Sequence, residues 1–252
     1  VFDNYGREFS GVSNYVWALN DSDFRQSILN NFLWLIVVPP TCTFLGLTIA
    51  TLADRVWWGV FAKTLIFMPM AISFVGASVI WKFVYEYRGP GNEQIGILNE
   101  IIVYFGGDPH AWIAIPFWNN FFLMVIMIWM FTGFAAVVFS AGIKAIPGEI
   151  MEAGQIDGAS ELKVFTSIVI PYIKSTIVVV GTYMVVTVLK AFDIIYVGTR
   201  GDLETNLLAV KMLDEFSKYR NIGRSTTVAV LIFVCVFPII WFTIKRERET
   251  VE

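Results

Sequence analysis

Five stretches of this chain are apolar for close to twenty residues or more, and polar segments separate them: 28–52, 60–85, 117–143, 173–195 and 226–244. A helix needs about 20 mostly apolar residues to cross about 30 Å of hydrocarbon. In lipid a spanning segment must satisfy its own backbone, so runs of this length read as helices. The composition agrees, with 56% apolar and 15% charged residues, against roughly 45–50% and 25% in soluble domains. The expected fold class is all-α, a polytopic transmembrane helical bundle with five spans in this chain. Pro39, Pro40, Pro69 and Pro238 lie inside the runs and read as kinks, which neighbouring helices can satisfy in a membrane.

The charges then exclude several functions. A net charge of −3 gives no basic footprint for nucleic acid. Cys42 and Cys235 each sit in an apolar run and read as small buried hydrophobes, not a disulfide framework. His110, the single histidine, has no cysteine or carboxylate cluster around it, so no metal site is expected. No span carries a paired His/Glu or Asp/Asp constellation, and no catalytic residue is assigned.

Lys245-Arg246-Glu247-Arg248 follows the fifth run, and the positive-inside rule places it in the cytoplasm. Counting back, loop 144–172 and the short loop around Arg55 and Lys63 are inside. Loops 86–116 and 196–225 are outside, although the latter carries Arg200, Lys211, Lys218, Arg220 and Arg224. Val1 then also lies outside. Residues 1–27 have no basic segment or cleavable apolar core, so a sixth span upstream of Val1 is expected in the native protein. Within the outer loops, 95–104 reads as a short helix between two turn signals. Leu207, Leu208, Val210, Met212, Leu213 and Phe216 suggest an interfacial helix.

Loop 144–172 is the most informative polar segment. Pro147 suits the opening of a helix, and Glu149 and Glu152 fall in its early turns, where the dipole favours acids. Ile150, Met151 and Ile156 supply an apolar side. Asp157-Gly158 ends the helix, because glycine takes the positive φ required there. A second helix runs from about Ser160 to Ile168, and Pro171 breaks it where the next span begins. Gly154, Gly158 and Ala159 keep one surface small enough for a partner backbone to approach.

In this loop Glu152-Ala153-Gly154 is followed by three residues and Gly158, then by nine residues and Ile168-Val169-Ile170-Pro171. That spacing resembles the Glu-Ala-Ala…Gly…Ile-x-Leu-Pro pattern of ABC-importer permeases, with Gly154 and Ile170 as mild departures. Lys144-Ala145-Ile146-Pro147-Gly148-Glu149, Ile156-Asp157-Gly158-Ala159, Phe192-Asp193-Ile194-Ile195-Tyr196 and Asn14-Tyr15 are similar to the carbohydrate-uptake branch, maltose and α-glucoside permeases in particular. The resemblance implies a prokaryotic inner-membrane, or plasma-membrane, multi-pass subunit that imports oligosaccharides such as maltose- or trehalose-like α-glucosides. It implies that Glu152, Ala153, Gly154, Asp157, Gly158, Ala159 and Pro171 form a coupling loop, with Glu152 the polar anchor and Gly158 the bend. It also implies an ATP-binding subunit dimer inside, a second permease subunit beside the chain and an extracytoplasmic sugar-binding protein outside. ATP and Mg belong to the partner ATPase, since this chain has no Gly-x-x-x-x-Gly-Lys-Ser/Thr loop and is expected to bind no cofactor.

A sugar path needs aromatic faces and a few polar groups near the middle of the spans. Trp129, Met130 and Phe134 lie in the third run, and Met184, Thr187, Val188 and Ala191 share one helical face in the fourth. In maltose-permease-like relatives the corresponding faces line the sugar cavity. Ordinary helix packing explains the same stripes. Lys190, well inside the fourth run, either snorkels to the outer interface, pairs with Asp193 or serves gating or substrate contact along the same path. A permease for a polyol or glycerol phosphate is the alternative. An ion-coupled secondary transporter fits less well, because the runs lack embedded acids and inverted repeats.

Overall fold

The computed structural model describes Tyr5 and residues 8–251, with side chains described as far as Pro238 and at Trp241. Among these residues every regular element is helical: α1 (Ser13–Asn20), α2 (Ser22–Ala53), α3 (Gly59–Phe67), α4 (Phe74–Val84), α5 (Ile97–Tyr104), α6 (Trp118–Lys144), α7 (Gly148–Ile156), α8 (Glu161–Val164), α9 (Ile170–Tyr172), α10 (Lys174–Leu189), α11 (Asp193–Gly198), α12 (Leu208–Ser217) and α13 (Ile222–Val251). Two of them, α2 and α6, are long and apolar enough to cross a membrane alone. Gly59–Ala71 with Phe74–Val84, and Glu161–Tyr172 with Lys174–Leu189, reach that length only as broken pairs, and the described apolar part of α13 is shorter.

The surface of α2 shows what solvent it is built for. Leu29, Phe32, Ile36, Phe44 and Leu52 are exposed, while Ser27, Asn30, Asn31 and Trp34 are buried. A helix facing water has the opposite arrangement. Hydrocarbon or another apolar surface is therefore its proper environment.

The expected second span, 60–85, is not a single kinked helix. The chain leaves helical geometry at Ile72 and Ser73. Ser73, extended at φ −64° and ψ 151°, starts α4 by accepting the Gly76 amide at 3.1 Å. Pro69 removes an amide from the preceding helix, and a serine cap soon after it supplies a fresh start; together they make a break. The expected fourth span stops at Leu189 and resumes as the short α11. Pro39 and Pro40 lie inside an unbroken α2. Cys42 is buried as expected, but Cys235 is exposed.

Contacts divide the chain into two compact units. The first holds Val1–Val38, Ile72–Met127 and Val186–Pro238; the second holds Pro39–Ala71, Ile128–Val185 and Ile239–Glu252. Both loops expected outside thus fall in the first unit, and both loops expected inside fall in the second. The side chains of Lys245, Arg246, Glu247 and Arg248, which anchor the expected topology, lie outside the described residues, as does Val1.

In the first unit, Ala18, Phe24, Leu208 and Val228 form a core with Trp17 and Met212 against it. The stretch expected as an interfacial helix is instead packed inward, because α12 buries Leu208, Ala209, Val210, Lys211 and Glu215. Lys211 lies 3.1 Å from Asp21 and 3.4 Å from Glu215, one turn along α12, and the Arg224 guanidinium stacks over Trp17 at 4.4 Å. Lys218 also lies over the Tyr219 ring at 5.3 Å, so three of the five cations in the loop expected outside are engaged within the fold. Burial works against the Lys211 charge, yet Asp21 and Glu215 hold the ammonium above its usual 10.5. Burial, partly offset by Lys211, holds Glu215 above 4.5.

Buried asparagines brace two loops of this unit. Arg200, Leu203 and Glu204 have φ of +58°, +57° and +60°, each costing roughly 1–2 kcal/mol. Asn30 donates to the carbonyls of Glu204 and Asn206 at 2.7 and 2.9 Å, and Asn119 donates to that of Leu203 at 2.7 Å. In loop 86–116, Asn99 on α5 donates to the carbonyls of Glu86 and His110 at 2.8 and 3.0 Å, and accepts the Trp112 indole N–H at 3.0 Å.

The second unit relies on close helix approach. A Cβ on Gly46 of α2 would lie 2.6 Å from the Cβ of Ala135 on α6, and one on Gly133 would lie 2.1 Å from the Ile66 carbonyl oxygen. Small residues let membrane helices pack at short range where no water drives them together. Ala50, Ala135, Phe139, Ile146, Val169, Ile173 and Val180 form the core, with Met151 and Phe165 against it.

Candidate functional site

Loop 144–172 lies wholly in the second unit. Pro147, at φ −57° and ψ 131°, is the N-cap of α7 and not its first helical residue. The helix ends in a hydrogen-bonded stop: the Gly158 amide donates to the Gln155 carbonyl at 3.0 Å, and the Ala159 amide donates to the Gly154 carbonyl at 3.1 Å. That pattern needs a left-handed residue between its two bonds, and Gly158 supplies it at φ +74°. Ser160 then caps α8, accepting the Lys163 amide at 3.4 Å. The break expected at Pro171 comes just after it, at Ile173. The chain widens to π geometry over Phe165–Val169 and stays helical through Tyr172. A π turn absorbs the amide that proline lacks, and the bend of 70° follows before α10.

The two faces of α7 differ. Met151 packs on the core of the second unit, and a Cβ on Gly154 would come within 2.7 Å of Ile168 Cδ1. Gly154 is thus small where the two helices of the loop pack on each other, a role within the chain that the sequence did not show. Glu152, Ala153, Asp157 and Gly158 are exposed, Ala159 is half-buried, and Pro171 is exposed. Ile156 is 84% exposed and Leu162 is 72% exposed. Positions 149, 152, 153, 156 and 157 recur at helical spacing, so acids and bare apolar groups share one outward face.

A polar knot, not evident along the sequence, ties this loop to the helices of the same unit. Asp54, just beyond α2, accepts Lys63 Nζ of α3 at 2.6 Å and Ser140 Oγ of α6 at 2.7 Å. Lys144, one turn on from Ser140, reaches Asp54 at 3.1 Å, and Lys63 also donates to Ser140 at 2.7 Å. Burial pushes the Asp54 carboxyl up, but the bonds from Lys63, Ser140 and Lys144 more than offset it and hold the group below 3.8. Arg55 adds an exposed pair with Glu161 of α8 at 2.6 Å. A lone acid among the cations of a loop expected inside was the available signal, since buried or half-buried charges are found paired.

The residues expected along a solute path fall in both units. Met130, Met184, Val188 and Ala191 are buried, while Trp129, Phe134 and Thr187 are half-buried. Trp129, Met130, Phe134 and Met184 belong to the second unit; Thr187, Val188, Lys190 and Ala191 belong to the first. The Phe134 ring packs on Tyr183 at 5.0 Å. Lys190 is exposed and, among the described residues, makes no ion pair with Asp193; it borders a small apolar pocket with Leu189, Phe192 and Met212. Among the described residues no group of three or more His, Cys, Asp or Glu side chains stands ready for a metal.

The chain is 56% identical over 247 residues to the alpha-glucoside transport system permease protein AglF of Rhizobium meliloti, covering 97% of this chain and 74% of the relative. It is 48% identical over 247 residues to the osmoprotective compounds uptake permease protein GgtC of Synechocystis sp., covering 98% and 88%. Its fold is similar to that of a bacterial ABC transporter chain involved in import of the acidic polysaccharide alginate, with a TM-score of 0.83 at 20% identity over 98% of this chain and 87% of the other. The profile described as "binding-protein-dependent transport system inner membrane component" matches residues 42–244, and the chain belongs to that family of non-catalytic permease subunits.

Proposed function

We propose that this permease subunit imports oligosaccharides, α-glucosides foremost, and that loop 144–172 receives the force for transport from a partner ATPase. The exposed faces of α7 and α8 carry the reading: Ile156 on α7 and Leu162 on α8 stand bare, with Glu152 and Asp157 exposed along α7 and at its end, while Met151 and Gly154 anchor α7 from behind. An ATP-binding subunit dimer docks there from the cytoplasm and keeps ATP and Mg to itself. A second permease subunit completes the bundle, and an extracytoplasmic sugar-binding protein delivers the solute. Nucleotide shifts the bundle only because its two states dock differently on the ATPase. The Asp54 knot and the Arg55–Glu161 pair pass the displacement of the loop to α2, α3 and α6 within the second unit. Identity to a relative named for alpha-glucoside transport supports the sugar class. A polyol is the second reading, favoured by the relative named for osmoprotective compounds.

Proteoliposomes holding the assembled transporter test this. Maltose or trehalose uptake should require ATP. Ile156→Asp and Gly158→Pro should leave basal ATP hydrolysis in place and reduce uptake at least tenfold. Unchanged uptake in both variants, or uptake driven by an ion gradient without ATP, would refute the proposal.

A further inference from the structure

The first unit contains a cleft of about 620 Å³ bordered by Lys82, Glu86, Tyr87, Trp112, Arg200 and Asp202. Ligand sites commonly measure about 300–1,000 Å³. Its walls come from the end of α4, which carries Lys82, and from loops 86–116 and 196–225, the two expected outside, and both loops are braced. Asn99 holds the Glu86 carbonyl and the Trp112 indole from behind at 2.8 and 3.0 Å. Asn119 holds the Leu203 carbonyl, next to Asp202, at 2.7 Å. Arg200 and Leu203 keep left-handed backbones at φ +58° and +57°. Strain of that kind persists only where its surroundings over-determine it, and it gathers at binding sites.

The charges indicate what fits. Two cations, Lys82 and Arg200, and two acids, Glu86 and Asp202, border one space. Among the described residues none of the four is in a salt bridge. A small anion would face both carboxylates, and a small cation would face both basic groups. A neutral polyol ring meets neither penalty: each hydroxyl donates to a carboxylate and accepts from an ammonium or guanidinium, while its C–H face covers the aromatic side chains.

We infer that this cleft is a binding site for a neutral saccharide, separate from the residues expected along the spans and from the coupling loop. It holds the solute on the first unit through Glu86, Asp202, Lys82 and Arg200, with Tyr87 and Trp112 against the ring. The inference deepens the importer reading and rests on it.

The test uses the assembled transporter in nanodiscs, without nucleotide or binding protein, titrated calorimetrically with maltose, trehalose and glycerol 3-phosphate. The disaccharides should bind at least tenfold more tightly than glycerol 3-phosphate. The E86Q/D202N double variant, which leaves two cations unopposed, should weaken disaccharide binding at least tenfold and strengthen glycerol 3-phosphate binding. Y87A should weaken the disaccharides alone. No disaccharide binding, or binding indifferent to E86Q/D202N and Y87A, overturns the inference. Maltose uptake by proteoliposomes without binding at the cleft overturns the cleft and leaves the transport reading standing. Binding at the cleft without any saccharide uptake does the reverse.

Discussion

Replacing Asp54 by asparagine keeps the shape of the knot in the second unit and removes its only acid. Asp54 is 16% exposed at its side chain and Lys63 is 11% exposed, with 2.6 Å between their polar atoms. Lys144 is 60% exposed and contributes a third contact at 3.1 Å. That outer arm is solvated and adds little, as exposed pairs do. The Lys63 arm decides the outcome, because the substitution strands a shielded ammonium. Breaking a buried pair from one side costs about 3–5 kcal/mol, and the residual solvent contact places this one near the lower end, about 3 kcal/mol. On the scale of about 2–4 °C per kcal/mol for chains of this length, the melting temperature should fall by about 6–12 °C. Thermal unfolding of the assembled transporter, followed by tryptophan fluorescence, measures it. The Lys63→Met variant should lose a similar amount, and the double variant should be no worse than either single one. The pH dependence carries a second signature. A carboxylate held below its unfolded value stabilises above that value, and loses this contribution as pH falls through the folded one. Wild type and Asp54→Asn should therefore differ by a constant amount from neutral pH down to about 4 and converge below it. A loss under about 2 °C, or strictly additive losses in the double variant, would refute the idea that the knot is one coupled unit.

Two glycines of the second unit should respond in opposite directions. Gly133→Ala places a methyl 2.1 Å from the Ile66 carbonyl oxygen and 2.6 Å from the Phe67 Cα, so its melting temperature should drop sharply. Gly181→Ala enters open space within α10 and should gain about 0.5–1 kcal/mol; a shift of the same sign in both would contradict the packing described. Lys211→Met should destabilise the first unit by about 3 kcal/mol, because Asp21 and Glu215 then lose their shared ammonium and Glu215 keeps only the weaker pull of Arg224. Glu215 already titrates above 4.5 and should rise further. Since a carboxyl with a raised folded value favours the fold when protonated, the Lys211→Met variant should regain stability as pH falls toward 4.5, which melting curves between pH 8 and 5 would reveal.

Some of this was legible along the chain because its causes are local. A bilayer requires each crossing segment to satisfy its own backbone, so α2 and α6 follow from apolar runs at 28–52 and 117–143 alone. The stop of α7 follows from Asp157-Gly158, because the positive φ it needs belongs to a single residue. The helix in loop 86–116 and the spacing of Glu152, Gly158 and Pro171 are equally local. Pro39 and Pro69 look alike in the sequence; their outcomes differ because a serine at 73 caps a new helix after Pro69, whereas uninterrupted apolar helix continues after Pro39.

Other features depend on residues that meet only after folding. Asp54 finds Lys63 and Ser140 across separations of 9 and 86 residues. Asn30 reaches the carbonyls of a strained turn 174 and 176 residues away. That Gly154 packs toward Ile168, and that Lys211 lies inside an ion cluster with Asp21, depends on what the neighbouring helices bring to each. From its amino acids alone the chain determines that it is helical, where it is apolar enough for lipid, and where loop 144–172 bends. Tertiary structure decided which charges are shielded and paired and which faces stay open, because burial is a property of the surroundings and not of the residue buried.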